Sequence, residues 1–119
     1  MEKLDINKIA ALIKKALKKG VHANINVIDI PLLADTLINR LNESIDNYVY
    51  DKRVGPSIYI GISKYLINGS RITTKELPLD IQMLRDKLIK DGFVVSCNIS
   101  GNKKDIIYII NIFVMNKSA

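Results

Sequence analysis

PLDIQMLRDKLIKDGFVVSCNI, Pro78 to Ile99, joins two periodicities through one glycine. Before Gly92, the residues Leu77, Ile81, Leu84 and Leu88 recur at helical spacing. Pro78 suits the first helical turn, where the N–H it lacks has no partner in any case. After Gly92, Phe93, Val95, Cys97 and Ile99 occupy alternate positions, the pattern of a strand with one covered face. Gly92 itself fits the left-handed position that closes a helix. A turn over Ser100 to Asp105 then leads into Ile106 to Val114, where Ile107, Ile109, Ile110, Ile112 and Phe113 place apolar groups on both sides. The segment predicts a helix followed by a C-terminal antiparallel β-hairpin, its last strand central and covered on two faces.

Upstream, Ser57 to Ser63 alternates, with Ile58, Ile60 and Ile62 on one side, and predicts a half-buried strand. Asn68-Gly69 lies between Tyr65-Leu66-Ile67 and Arg71-Ile72-Thr73, and a two-residue hairpin turn favours that pair because both positions take positive φ; a short helix over Ser63 to Ile67 is the alternative. Ile30, Leu33, Leu37, Leu41, Ile45 and Tyr48 trace the stripe of a long helix, with Asp29 as its cap, Pro31 in its first turn and Gly55-Pro56 as a breaker beyond it. Ile6, Ile9, Ala10, Ile13 and Leu17 mark a first helix between Asp5 and Gly20. Val21 to Ile28 is assigned as a short connection. The expected fold is therefore one α+β domain over residues 1–119: two N-terminal amphipathic helices, a central β-rich segment, a third helix and the hairpin. An edge left by the Ile58–Thr73 region is expected to accept a strand from another chain.

The chain has 119 residues, 48% hydrophobic and 25% charged, enough to bury one core without disulfides or metals. One cysteine excludes an internal disulfide and a multi-thiolate zinc site, and fits a reducing compartment. The opening Met1-Glu2-Lys3-Leu4-Asp5 does not read as a signal peptide. The longest apolar run, Ile106 to Met115, is broken by Asn111 and falls short of the roughly 20 residues of a membrane span. The chain is expected to be neither secreted by a signal peptide nor transmembrane.

Catalytic groups are sparse. His22 is the single histidine and Cys97 the single cysteine, the latter on the apolar side of its strand and read as core. Glu43 and Asp46 pair on the second helix without a His or Cys to complete a metal site. The glycines match neither the phosphate-binding loop nor the dinucleotide spacing. The expectation is a chain that is no enzyme and holds neither cofactor nor metal.

The net charge of +6 directs attention to surfaces. Lys8, Lys14, Lys15, Lys18 and Lys19 share one face of the first helix and form a candidate surface for a polyanion or an acidic partner, although lysines near a helix C-terminus also complement its dipole. Lys103 and Lys104 at the hairpin tip are a second candidate contact. Leu79 to Val114 resembles, in element order, the last half of a winged-helix DNA-binding domain, which implies groove contacts from Gln82, Arg85, Lys87 and Lys90. Asp80, Asp86 and Asp91 offset that helix's charge, and a long β-like segment stands where the family has a short turn. Tyr48 and Tyr50, near Lys52 and Arg53, read as structural, and neither Phe falls in the paired aromatic motifs of an RNA-binding sheet.

In its abundant isoleucine, asparagine and lysine, its length and its terminal helix-hairpin unit, the chain resembles small accessory or virion proteins of low-GC tailed bacteriophages. That resemblance implies a virion, assembly or host-takeover role, with the host cytoplasm or the virion as the location. The expected function is a non-enzymatic protein–protein interaction module with other protein subunits, self included, as partners. The alternatives are a nucleic-acid-binding protein and an inhibitor of a host enzyme.

Overall fold

A computed structural model describes residues 5–28, 33–63, 66–67, 70–71, 77, 79–102 and 107–116. The elements in chain order are α1 (Ile6–Lys19), β1 (His22–Ile28), α2 (Leu33–Asn47), β2 (Ser57–Ser63), β3 (Leu66–Ile67), β4 (Ser70–Arg71), α3 (Leu79–Lys90), β5 (Phe93–Asn102) and β6 (Ile107–Asn116). Among the described residues the fold is α+β, with three helices and a four-stranded mixed sheet in the order β1-β2-β6-β5. β1 runs parallel to β2, while β6 is antiparallel to both β2 and β5. β3 and β4 form a separate antiparallel pair, Leu66 opposite Arg71 and Ile67 opposite Ser70.

Local signals set the helix ends. The Asp5 carboxylate accepts from the Lys8 N–H at 3.1 Å, capping α1. At the other end Gly20 takes φ 88°, its N–H reaching the Leu17 carbonyl while Val21 N–H reaches that of Ala16. Those two bonds make the Schellman closure and satisfy carbonyls that would otherwise lack partners. The Val21 carbonyl then accepts from Ser57 N–H, so the end of α1 is tied to the start of β2. Gly92 repeats the left-handed closure after α3, at φ 95°.

All three helices lie on one face of the sheet. α1 packs between α2 and α3 and touches β2 and β6, α2 covers β1, and α3 covers β5. The core joins Ile9, Ile13 and Leu17 of α1, Leu37 and Leu41 of α2, and Ile81, Leu84 and Leu88 of α3 to Ile25, Ile58, Ile60, Ile62, Ile112 and Val114 of the sheet.

Four expectations change. Val21 to Ile28 is not a connection: its residues His22–Ile28 form β1, a parallel edge strand, and α2 is the crossover that parallel pairing demands. Among the described residues, β2 offers no edge in the main sheet, because it is bonded on both sides, to β1 and β6; the edges there are β1 and β5. The last hairpin is longer than expected, with β5 reaching Asn102 and β6 Asn116. β6 is central in strand order but, among the described residues, has helices on one face only, and Met115 is 39% exposed. The expected cap Asp29 and Pro31, the Asn68-Gly69 turn, Pro78, and Lys103 and Lys104 lie outside the described residues.

Candidate functional site

Alternation along a strand sends every second side chain away from the helices. Register places three cross-strand rows on that opposite face: His22, Ser57, Met115 and Val94; Asn24, Tyr59, Phe113 and Ser96; and Asn26, Gly61 and Asn98. None of these residues is Lys, Arg, Asp or Glu. Among the described residues no helix packs on this face, and His22, Asn24, Asn26, Ser96 and Asn98 are exposed. Tyr59 and Phe113 are direct register partners on the two central strands, both half-buried, and form its aromatic centre.

A polar contact closes one end. His22 Nδ1 lies 2.6 Å from Ser57 Oγ, and the two residues are register partners of the parallel pair. Ser57 is buried and His22 exposed, so the contact satisfies an otherwise enclosed hydroxyl rather than presenting a nucleophile to solvent. His22 and Cys97 do not meet. They sit on the two edge strands, about 14 Å apart sideways across three strand spacings and a further three residues out of register, since Cys97 is level with Ile25, and they point to opposite faces. Cys97 is half-buried on the helix side, where burial pushes its thiol up from the ordinary value. A protonated thiol is a poor nucleophile. Glu43 and Asp46 are exposed on α2.

The lysines of α1 belong to a different side of the molecule. Lys8, Lys14, Lys15, Lys18 and Lys19 are exposed on the helix layer, with the whole sheet between them and the aromatic pair. Lys19 is already engaged, its Nζ donating to the Ile45 carbonyl at 2.6 Å. Lys14 lines a shallow groove of about 350 Å³ between α1 and α3 with Asn7, Ala10, Ala11, Lys87 and Asp91.

The side chains expected to read a DNA groove are partly committed elsewhere. The Gln82 amide donates to the Leu77 carbonyl at 2.7 Å, Arg85 Nε pairs with Asp86 at 3.1 Å, and Lys87 lines the groove facing α1. The hairpin itself is one half of the main sheet rather than a projecting wing. Near Tyr50, the Arg53 guanidinium grips Asp51 at 3.0 Å and holds its carboxyl below the usual range. Among the described residues no group of three or more His, Cys, Asp or Glu is placed to hold a metal ion, and no helix is long and apolar enough to cross a membrane.

The open face escaped sequence reasoning because its members are spread over four strands distant in the chain. The available signal was the outward half of the two edge strands, with Asn24 and Asn26 on β1 and Ser96 and Asn98 on β5, polar but uncharged. Comparison with protein-family models, curated proteins and solved structures gave no match to this chain.

Proposed function

We propose that this chain is a non-enzymatic protein–protein interaction module that docks a partner on the open face of its sheet. The observation carrying this reading is the Tyr59–Phe113 pair at the centre of a face whose register positions hold no charged residue. Solvent-facing sheet surfaces usually carry Lys, Glu or Thr, whereas the centres of protein interfaces are depleted in charge and enriched in aromatics and Met. Val94 and Met115, 42% and 39% exposed, extend the apolar character along one end. Four strands about 4.8 Å apart and some seven residues long give a patch of about 440 Å², roughly half of what one partner contributes to a standard interface. Docking therefore engages residues around the patch as well.

Polyanion binding draws its affinity from cations that neutralise phosphates. Here the lysines of α1 and the aromatic pair are on opposite sides of the molecule, which favours a protein partner over a nucleic acid. The composition favours a bacteriophage virion or assembly component as the setting.

The experiment introduces charge without disturbing the core. Asn24→Glu with Ser96→Glu flanks the aromatic pair at exposed positions, and Lys14→Gln with Lys15→Gln removes charge from α1. A partner recovered from the source organism binds the second variant as it binds the parent and fails to bind the first. A partner indifferent to the sheet-face charges overturns the reading. So does salt-sensitive binding of a fluorescent oligonucleotide that the α1 variant abolishes.

A further inference from the structure

The two edges of the sheet are finished differently. On β1 the helix-facing Ala23 is half-buried, but Ile25 and Val27 are only 3% and 1% exposed, and α2 covers the strand. On β5 the equivalent positions are Phe93, Val95, Cys97 and Ile99, and all four stay half-buried although α3 packs over the strand. The flank of α3 is unfinished too. Lys87 faces α1 across the groove, and Ile89, two residues on and so roughly 200° around the helix, points the other way at 50% exposure.

β5 also lacks the features that keep an edge from pairing. Its sequence, FVVSCNISGN, has no proline and no charged residue over its whole length. Natural edge strands of this length usually carry a lysine, a proline or a bulge. Among the described residues only one side of β5 is bonded, to β6, so about 33 Å of backbone presents donors and acceptors outward.

We propose that β5 pairs antiparallel with β5 of a second copy of this chain, about a two-fold axis beside Cys97, joining the two sheets into one of eight strands. With that axis, Phe93 to Gly101 of one strand faces Gly101 to Phe93 of the other, so nearly the full edge is used and helix-facing side chains meet helix-facing side chains. A strand pairing antiparallel with itself is self-complementary, as a two-fold interface requires. The charges on the flank are self-complementary as well. Arg85 and Asp86, in contact at 3.1 Å, lie close enough to Cys97 to act on its thiol. The axis brings this pair against its own copy in reversed order, arginine towards aspartate, with no excess of either sign. A distinctly acidic or basic partner finds no net charge there to recognise. Ile89 of each copy is carried towards Gln82 of the other, covering apolar surface that the single chain leaves open.

This inference is independent of what docks on the open face. Pairing at β5 sets the two open faces side by side in one broader surface, and either reading can fail without the other.

The test is the mass of the full chain in solution by sedimentation or light scattering, with Val95→Lys at the β5 edge and Asn24→Lys at the β1 edge. The expected result is twice the 13.4 kDa chain mass for the parent and for Asn24→Lys, and the single-chain mass for Val95→Lys with helical content retained. Hydrogen exchange of the parent supplies a second readout that needs no variant: amides of Phe93–Asn102 exchange more slowly as protein concentration rises, and those of His22–Ile28 do not. A parent that stays monomeric at every concentration overturns the proposal. A dimer that persists in Val95→Lys, that is lost in Asn24→Lys, or whose β5 amides exchange independently of concentration overturns it equally.

Discussion

His22 Nδ1 and Ser57 Oγ share a hydrogen bond of 2.6 Å between register partners of the parallel β1–β2 pair, at the point where the chain leaving α1 meets the chain entering β2. The two ends of this bond differ in exposure, and so will their substitutions. His22→Ala leaves the buried Ser57 hydroxyl without its partner and should cost about 1–2 kcal/mol. Ser57→Ala removes the hydroxyl instead and frees an imidazole already in solvent, so about 0.5 kcal/mol is expected. Urea unfolding with an unchanged denaturant slope measures both, and the asymmetry disappears if the bond is incidental.

Much of the architecture was legible wherever the controlling forces are local. The caps Asp5, Gly20 and Gly92, the alternation of Ser57 to Ser63 and the break at Gly92 are each decided within a few residues. β1 was missed although Ala23, Ile25 and Val27 alternate with His22, Asn24 and Asn26, because asparagine is a poor strand former and a parallel strand has no hairpin turn to announce it. The open face was illegible for a related reason. Tyr59 and Phe113 become neighbours through the pairing of β2 with β6, and no periodicity within either strand encodes which strands pair.

The left-handed glycines offer a comparison in which backbone strain is held nearly constant. Gly20 and Gly92 have φ of 88° and 95°, so alanine at either carries a backbone cost of about 1 kcal/mol. A Cβ at Gly92 meets open space, whereas one at Gly20 comes within 3.0 Å of the Tyr50 ring. Gly20→Ala should therefore be the more destabilising, by about a further 1 kcal/mol. Adding Tyr50→Ala should close the gap. A gap that survives in the Tyr50→Ala background assigns the difference to something other than the ring.

Cys97 gives a pH dependence with a definite sign. Burial is the main cause that pushes its thiol above the ordinary 9.0, with Asp86 acting in the same direction and Arg85 against. The folded state thus prefers the protonated thiol. The corresponding stability is fully present below the unfolded value and is lost as pH rises through the higher folded value. Parent and Cys97→Ala should differ by a constant amount up to about pH 8.5, with the parent's advantage shrinking beyond that. Alkylation should follow the same order, slower for the folded chain than for the urea-unfolded chain at neutral pH. Equal rates would place the thiol in solvent.

The lysines of α1 separate into one structural residue and a set with no described side-chain partner. Lys19 Nζ reaches the Ile45 carbonyl near the end of α2 from the end of α1, so one cation serves two helix C-termini, where positive charge is favoured. Lys19→Met keeps most of the stem and removes the charge and the bond, and should cost about 1 kcal/mol. Neutralising Lys14, Lys15 and Lys18 to Gln should each change stability by less than about 0.5 kcal/mol. The thermal midpoints of the four single variants decide the matter. A loss at Lys19 comparable to the others would mean that the two helix ends are held by packing alone, through Leu17, Leu41 and Ile45 of the buried core.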